Sequence, residues 1–170
     1  TASTDILSFS LHDALQILAD SNFPGISVAM MAPDGTTWAQ AQGVSDLALQ
    51  TPLTPNDRFV IGSVTKLFTA TTVLQLAEEG QLSLDDPMSQ WLPDSATRIP
   101  NGDQISLRQL LGHTSGIRNY DEDALAAIDA NPELALKEWT PEDFIALIYD
   151  QEPLGEPGQM AYSNTNYVLL

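Results

Sequence analysis

Phe59-Val-Ile-Gly-Ser-Val-Thr-Lys-Leu-Phe-Thr-Ala-Thr-Thr-Val-Leu-Gln-Leu76 carries a single charge, on Lys66. The chain has only one other lysine, Lys137. An ammonium in such a stretch either snorkels to water along its own stem or is held by partners for a purpose. The pattern predicts a helix from Ser63 to about Glu79, closed by Gly80 just past its end. Ser63 stands three residues before Lys66, so the two side chains share a helix face. Gly62 precedes Ser63 and sets the hydroxyl at the helix start, where free N–H groups and the helix dipole favour an anion. A serine hydroxyl is a poor nucleophile until a base takes its proton. Lysine does this only when burial and positive neighbours bring its pKa down from about 10.4. The apolar segment is expected to supply that burial, and the Ser63 N–H to stabilise an oxyanion. Ser-x-x-Lys by itself also fits a surface helix with a snorkelling lysine.

On the N-terminal side, residues 5–19 show apolar positions at helical spacing, with Ser3 or Thr4 as cap. Ile26–Met31 reads as a strand, Asp34-Gly35 as a turn, and Thr36–Ala41 as the returning strand of a hairpin. Pro52 and Pro55 mark a loop over residues 51–57. On the C-terminal side, Leu82–Pro93 is helix-poor, with one short turn or helix. A short helix begins near Ile105 with Ser106 as cap, and Gly112-His-Thr-Ser-Gly116 breaks it. Thr140 at N-cap, Pro141 at N1 and Asp143 at N3 announce a helix to Tyr149. A Pro- and Gly-rich loop over residues 153–158 precedes a last helix from about Asn164.

Composition narrows the function classes. The chain has 170 residues, 43% hydrophobic, enough for a core and too many for a disordered acidic tail. Its net charge of -17 repels phosphate backbones and anionic lipid, so neither nucleic acid nor an anionic membrane surface is an expected partner. Most of the acids read as a solvated surface. No apolar run approaches the roughly 20 residues of a membrane span. With no cysteine, a thiol nucleophile, a disulfide scaffold and a thiolate zinc site are excluded. A periplasmic or secreted protein is expected; the absence of cysteine is compatible with that and does not require it.

A second element lies ninety-nine residues after Ser63. Tyr162-Ser-Asn164 is the only Tyr-x-Asn in the chain. A tyrosine beside a lysine can relay protons as phenolate, and an asparagine can fix the lysine and bind a substrate amide. A core tyrosine followed by a capping asparagine fits the same three residues.

Taken together these residues resemble the penicillin-recognising serine hydrolases: class C β-lactamases, serine D-alanyl-D-alanine carboxypeptidases, and related esterases and aminopeptidases. The markers are Gly62-Ser-Val-Thr-Lys66 with Gln75–Asp86 after it, Ile105-Ser-Leu-Arg-Gln-Leu-Leu-Gly-His-Thr-Ser-Gly-Ile117, and Pro157-Gly158 leading to Tyr162-Ser-Asn-Thr-Asn-Tyr167. The resemblance implies an α+β fold, an antiparallel sheet flanked by helices with a helical domain beside it. It implies an acyl-enzyme route on peptide, β-lactam or ester carbonyls. Ser63 would be the acylated nucleophile, Lys66 the acylation base, Tyr162 a partner in proton transfer to the leaving group, and Asn164 a contact to Lys66 and the substrate amide. No metal or organic cofactor is implied. Ser-Val-Thr-Lys with Tyr-Ser-Asn-Thr-Asn is closer to the carboxypeptidase and esterase branch. A relative that binds penicillin without turnover, or regulates, and an esterase of the same fold are the alternatives.

Other candidates are read more plainly. His113 lies in a segment that is a structural turn in the resembled family. His12 fits surface or core packing. Tyr120 fits either a cleft wall or aromatic packing. Asp121-Glu-Asp123 reads as solvated loop acids, since adjacent acids on a loop seldom hold a metal. The family's third motif, Lys-Thr-Gly or His-x-Gly on a strand, is not among these 170 residues. The expected organisation is therefore an N-terminal helix and first strands over 1–61, a nucleophile helix and helical domain over 62–170, and an incomplete, two-stranded sheet. Activity is expected only with a C-terminal portion of the same enzyme, which would act as partner and carry that strand.

Overall fold

The computed structural model describes residue 16 and residues 20–170. Gln16 apart, the helix expected over residues 5–19 lies outside the described residues. The chain divides into two compact units, Thr1–Val60 and Ile61–Leu170.

In the first unit, β1 (Gly25–Met31) and β2 (Thr37–Asp46) form an antiparallel hairpin, in register from Gly25 opposite Gly43 to Met31 opposite Thr37. The turn between them forms at Asp34-Gly35. Asp34 Oδ1 accepts the Thr36 N–H at 2.9 Å, and Gly35 takes φ +84°. β2 runs five residues past the expected Ala41. A third strand, β3 (Thr51–Pro52), pairs with β2 where a loop and a two-stranded sheet were expected. The reason is a local turn. Asp46 Oδ1 accepts from the Ala48 and Leu49 N–H groups at 2.8 Å each, Gln50 takes φ +52°, and the chain folds back along β2. Pro52 lacks an N–H to donate, and an edge strand tolerates that.

The second unit is helical. A tight 3₁₀ turn (Gly62–Val64) opens α1 (Thr65–Glu78). Its end is a Schellman motif: Gly80 at φ +70° donates to the Ala77 carbonyl, and Gln81 N–H reaches back to Leu76 O at 2.9 Å. Two short helices follow, α2 (Met88–Trp91) and α3 (Pro93–Arg98). The second occupies a position where Pro93 reads as an end; here proline sits at N1 and starts a helix instead. α4 (Leu107–Leu111) opens with the Ser106–Gln109 capping box. α5 (Asp121–Ala130) replaces the expected acidic loop, because three acids in a first turn favour the positive end of a helix dipole. α6 (Pro141–Leu147) carries the Thr140–Asp143 capping box, and α7 (Thr165–Leu169) follows Asn164.

The core lies in this unit. Met88, Ile105 and Leu110 are fully buried, and Ile99, Ile117, Ile145, Ile148 and Leu169 close around them. Burial of side chains of this size contributes about 1.5–3 kcal/mol each. Among the described residues, no helix is long and apolar enough to cross a membrane.

Candidate active site

Ser63 sits on the 3₁₀ turn and Lys66 one turn further, at the start of α1. The Ser63 N–H is in the first turn, where donors have no acceptor within the helix. Tyr162 and Asn164 come from the irregular segment leading into α7, and all four side chains meet. Ser63 Oγ lies 2.8 Å from the Tyr162 hydroxyl. Lys66 Nζ donates to Ser63 Oγ at 3.1 Å and to Asn164 Oδ1 at 2.6 Å. The Tyr162 hydroxyl also reaches Asn164 Oδ1, at 3.2 Å.

Lys66 is sheltered differently from the sequence expectation. The apolar side chains beside it do not cover it: Leu67 and Phe68 are 67% and 65% exposed. Its ammonium instead stands 5.3 and 5.5 Å from the ring centroids of Tyr162 and Tyr167. Both are within cation–π range.

Electrostatics follows from this packing. The Lys66 ammonium, and next the Ser63 hydroxyl, hold the Tyr162 phenol below its ordinary value. Burial, and then the Asp121 charge, push the Tyr120 phenol up. A lowered phenol pKa raises the share of its anion, the form that can accept the Ser63 proton.

Asp121 is the residue that local sequence reasoning missed. Its Oδ2 accepts from Asn164 Nδ2 at 2.7 Å and from Asn119 Nδ2 at 3.1 Å, while Asn119 Oδ1 accepts the Asn164 N–H at 2.9 Å. A carboxylate only accepts, so it fixes which end of the Asn164 amide faces Lys66. Asp123, also read as solvated, holds the Arg118 guanidinium through two bonds, at 2.6 and 3.1 Å. No neighbouring residue signals the Asp121 role, because the Asn164 partner lies 43 positions away in the chain. Tyr120 satisfies both of its expected readings. It lines a cavity of about 160 Å³ with Lys66, Asn164 and Tyr167, and its ring packs on Phe144 at 4.5 Å. The larger hollow beside Arg98 and Asp150 contains none of these residues.

His113 stands in the expected turn, at φ +53°, and its ring stacks on Tyr162 with centroids 4.3 Å apart. Burial first, and the Lys66 charge second, hold its imidazole below the ordinary 6.5.

A family model described as Beta-lactamase matches residues 14–170. The chain belongs to the Beta-lactamase family. Within it, a D-stereospecific amidohydrolase from Streptomyces sp. is 36% identical and superposes with a TM-score of 0.77, over 92% of this chain and 45% of that one. The penicillin binding protein from Bacillus halodurans is 31% identical, with a TM-score of 0.68 over 84% of this chain and 41% of that one. Esterase EstB from Burkholderia gladioli is 35% identical over 129 residues, 68% of this chain and 33% of the esterase. These relatives and their β-lactamase/DD-peptidase-like fold agree with the α+β reading. The chain spans roughly a quarter to a third of the curated relatives it matches. Members of this Beta-lactamase-fold family are serine hydrolases, with penicillin-binding, esterase, amidase and β-lactamase representatives among them.

Proposed function

We propose that this chain carries the nucleophile and proton-transfer half of a serine acyl hydrolase, D-alanyl-D-alanine carboxypeptidase or β-lactamase-like, acting through an acyl-enzyme. The observation that carries the proposal is the closed hydrogen-bond network of Ser63, Lys66, Tyr162 and Asn164. Ser63 Oγ attacks the substrate carbonyl. Its proton passes to the Lys66–Tyr162 pair, which acts as one coupled acceptor. The shorter contact, 2.8 Å against 3.1 Å, supports the phenol oxygen as the first stop. The Ser63 N–H is one oxyanion donor as the tetrahedral intermediate forms. Tyr162 then returns the proton to the leaving amine or alcohol, the carbonyl–leaving-group bond breaks, and an ester to Ser63 remains. Water hydrolyses that ester by the reverse route. Asn164 holds the ammonium and contacts the substrate amide. Activity requires the complete protein, including a strand with the third motif; the share of each relative that this chain spans supports that reading.

The test uses the full-length protein. Incubation with a fluorescent penicillin, and separately with a fluorophosphonate, is expected to add one adduct mass on the peptide containing Ser63. A folded protein with no adduct on Ser63 sinks the proposal. Release of the penicilloyl group separates a turnover enzyme from a penicillin-binding relative that stays acylated. An esterase is the second reading, and EstB at 35% identity is among the relatives that support it. It predicts a higher kcat/KM on a p-nitrophenyl ester than on a peptide ending in D-Ala-D-Ala.

A further inference from the structure

His113 grips the Tyr162 segment from three sides. Its carbonyl accepts the Ala161 N–H at 2.8 Å, and its Nδ1 accepts the Ser163 N–H at 3.3 Å. Its ring lies on the Tyr162 ring at 4.3 Å, with the planes 27° apart. Thus the residue before the phenol, the residue after it and the phenol itself all rest on one side chain and its backbone. The ring is held in turn. Asn166 Nδ2 lies 3.3 Å from the same Nδ1, and Ser115 donates to Asn166 Oδ1 at 2.6 Å. Asn166 and Ser115 are buried. The backbone of His113 is left-handed, a conformation that few residues other than glycine keep without compensating contacts.

Two N–H groups point at Nδ1, so a neutral ring carries its proton on Nε2. A second proton has to go to Nδ1. That turns the acceptor into a donor facing two donors, and it adds a positive charge. The groups facing the ring are the Lys66 ammonium from α1, the Tyr162 phenol, and Tyr167 and Asn166 from α7. Among the described residues no carboxylate is bonded to the imidazole to offset that charge. Nor does any hydrogen bond join it to Ser63 or Lys66, so its action runs through Tyr162.

We propose that His113 is a positioning residue for Tyr162: its neutral imidazole clamps the segment that presents the phenol oxygen to Ser63, and protonation of the imidazole opens the clamp. The inference rests on the reading of Ser63, Lys66 and Tyr162 as the acylation machinery.

Two variants of the full-length enzyme take the clamp apart. His113→Asn keeps an oxygen where Nδ1 stands and tolerates the left-handed backbone, with no ring to stack. His113→Phe keeps a ring and has no acceptor. Acylation by a fluorescent penicillin at saturation is expected to fall about 10- to 100-fold in His113→Phe, with half-saturation within about twofold of wild type. His113→Asn is expected to recover part of that loss. In the wild type the acid limb of the rate profile steepens as the imidazole gains its proton, and both variants lack the steeper part. Variants that melt near wild type, acylate at the wild-type rate and keep the same acid limb overturn the proposal. So does a ¹⁵N spectrum of the wild type at pH 7 with the proton on Nδ1. The spectrum needs no activity. A wild type that fails to acylate therefore refutes the functional reading, while the tautomer still decides the clamp.

Discussion

The two halves of the candidate site are held in opposite ways. The Tyr162–Asn164 half is anchored in buried polar packing. Ser163, Thr165 and Asn166 are fully buried, and the Ser163 and Thr165 hydroxyls both donate to the Arg118 carbonyl, at 3.2 and 2.7 Å. In the Ser63–Lys66 half, Val73 is the one buried residue among those of the 3₁₀ turn and α1. Leu67 and Phe68 are mostly exposed. Among the described residues the Tyr162–Asn164 half is the more deeply packed. The phenol and the amide stand on a segment held by buried hydrogen bonds. The hydroxyl and the ammonium meet them through side-chain hydrogen bonds.

The largest expected effect tests the chemistry that joins the halves. In the full-length enzyme Ser63→Ala is expected to remove covalent labelling and to lower turnover by more than about 10⁴-fold. Retained labelling elsewhere breaks the assignment of the nucleophile. Next come Lys66→Ala and Tyr162→Phe, each expected to slow acylation by about 10²- to 10⁴-fold. Because the pair shares one proton, the double variant is expected to be little worse than the poorer single variant. Additive losses would separate the two roles. Asp121→Asn sharpens the comparison from the anchored side. An amide there can donate as well as accept, so Asn164 loses its fixed orientation. Acylation is expected to fall about 10-fold or more, while the melting temperature stays within a few degrees.

Stability carries the comparison further down in size. Gly116 sits at φ +74°, and a Cβ there collides with the Gly155 carbonyl oxygen. Gly116→Ala is expected to cost about 3 kcal/mol in urea unfolding. The pH effect has a fixed sign. His113 titrates below its ordinary 6.5 in the folded chain, by burial first and the Lys66 charge second. As pH falls through that value the unfolded chain binds the proton first. The stabilisation is therefore complete above about 6.5 and is lost as pH drops from there towards the folded pKa. Urea midpoints are expected to fall over this interval, and His113→Asn to remove that part of the fall.

Much of the local architecture was legible before any tertiary information. The Ser106 and Thr140 caps, the Gly80 stop and the Asp34-Gly35 turn all depend on residues within five positions of one another. The helix α5 and the strand β3 were not. Acids at a helix start resemble acids in a loop, and a two-residue edge strand containing proline has no alternation to detect. At the site, Ser63 and Lys66 were readable because three-residue spacing shares a helix face. Tyr162 and Asn164 were readable only as a rare pattern beside them.

What the sequence by itself determined is the menu of groups: one lysine in the otherwise uncharged stretch Phe59–Leu76, a serine one turn before it, a lone Tyr-x-Asn. Tertiary structure alone decided that they meet, and that Asp121, from 43 residues before Asn164, and His113, from 49 before Tyr162, hold the meeting in place. The physical reason is range. Helix spacing and caps are set by near neighbours. The orientation of an amide and the tautomer of an imidazole are set by whatever buried partner the fold brings against them.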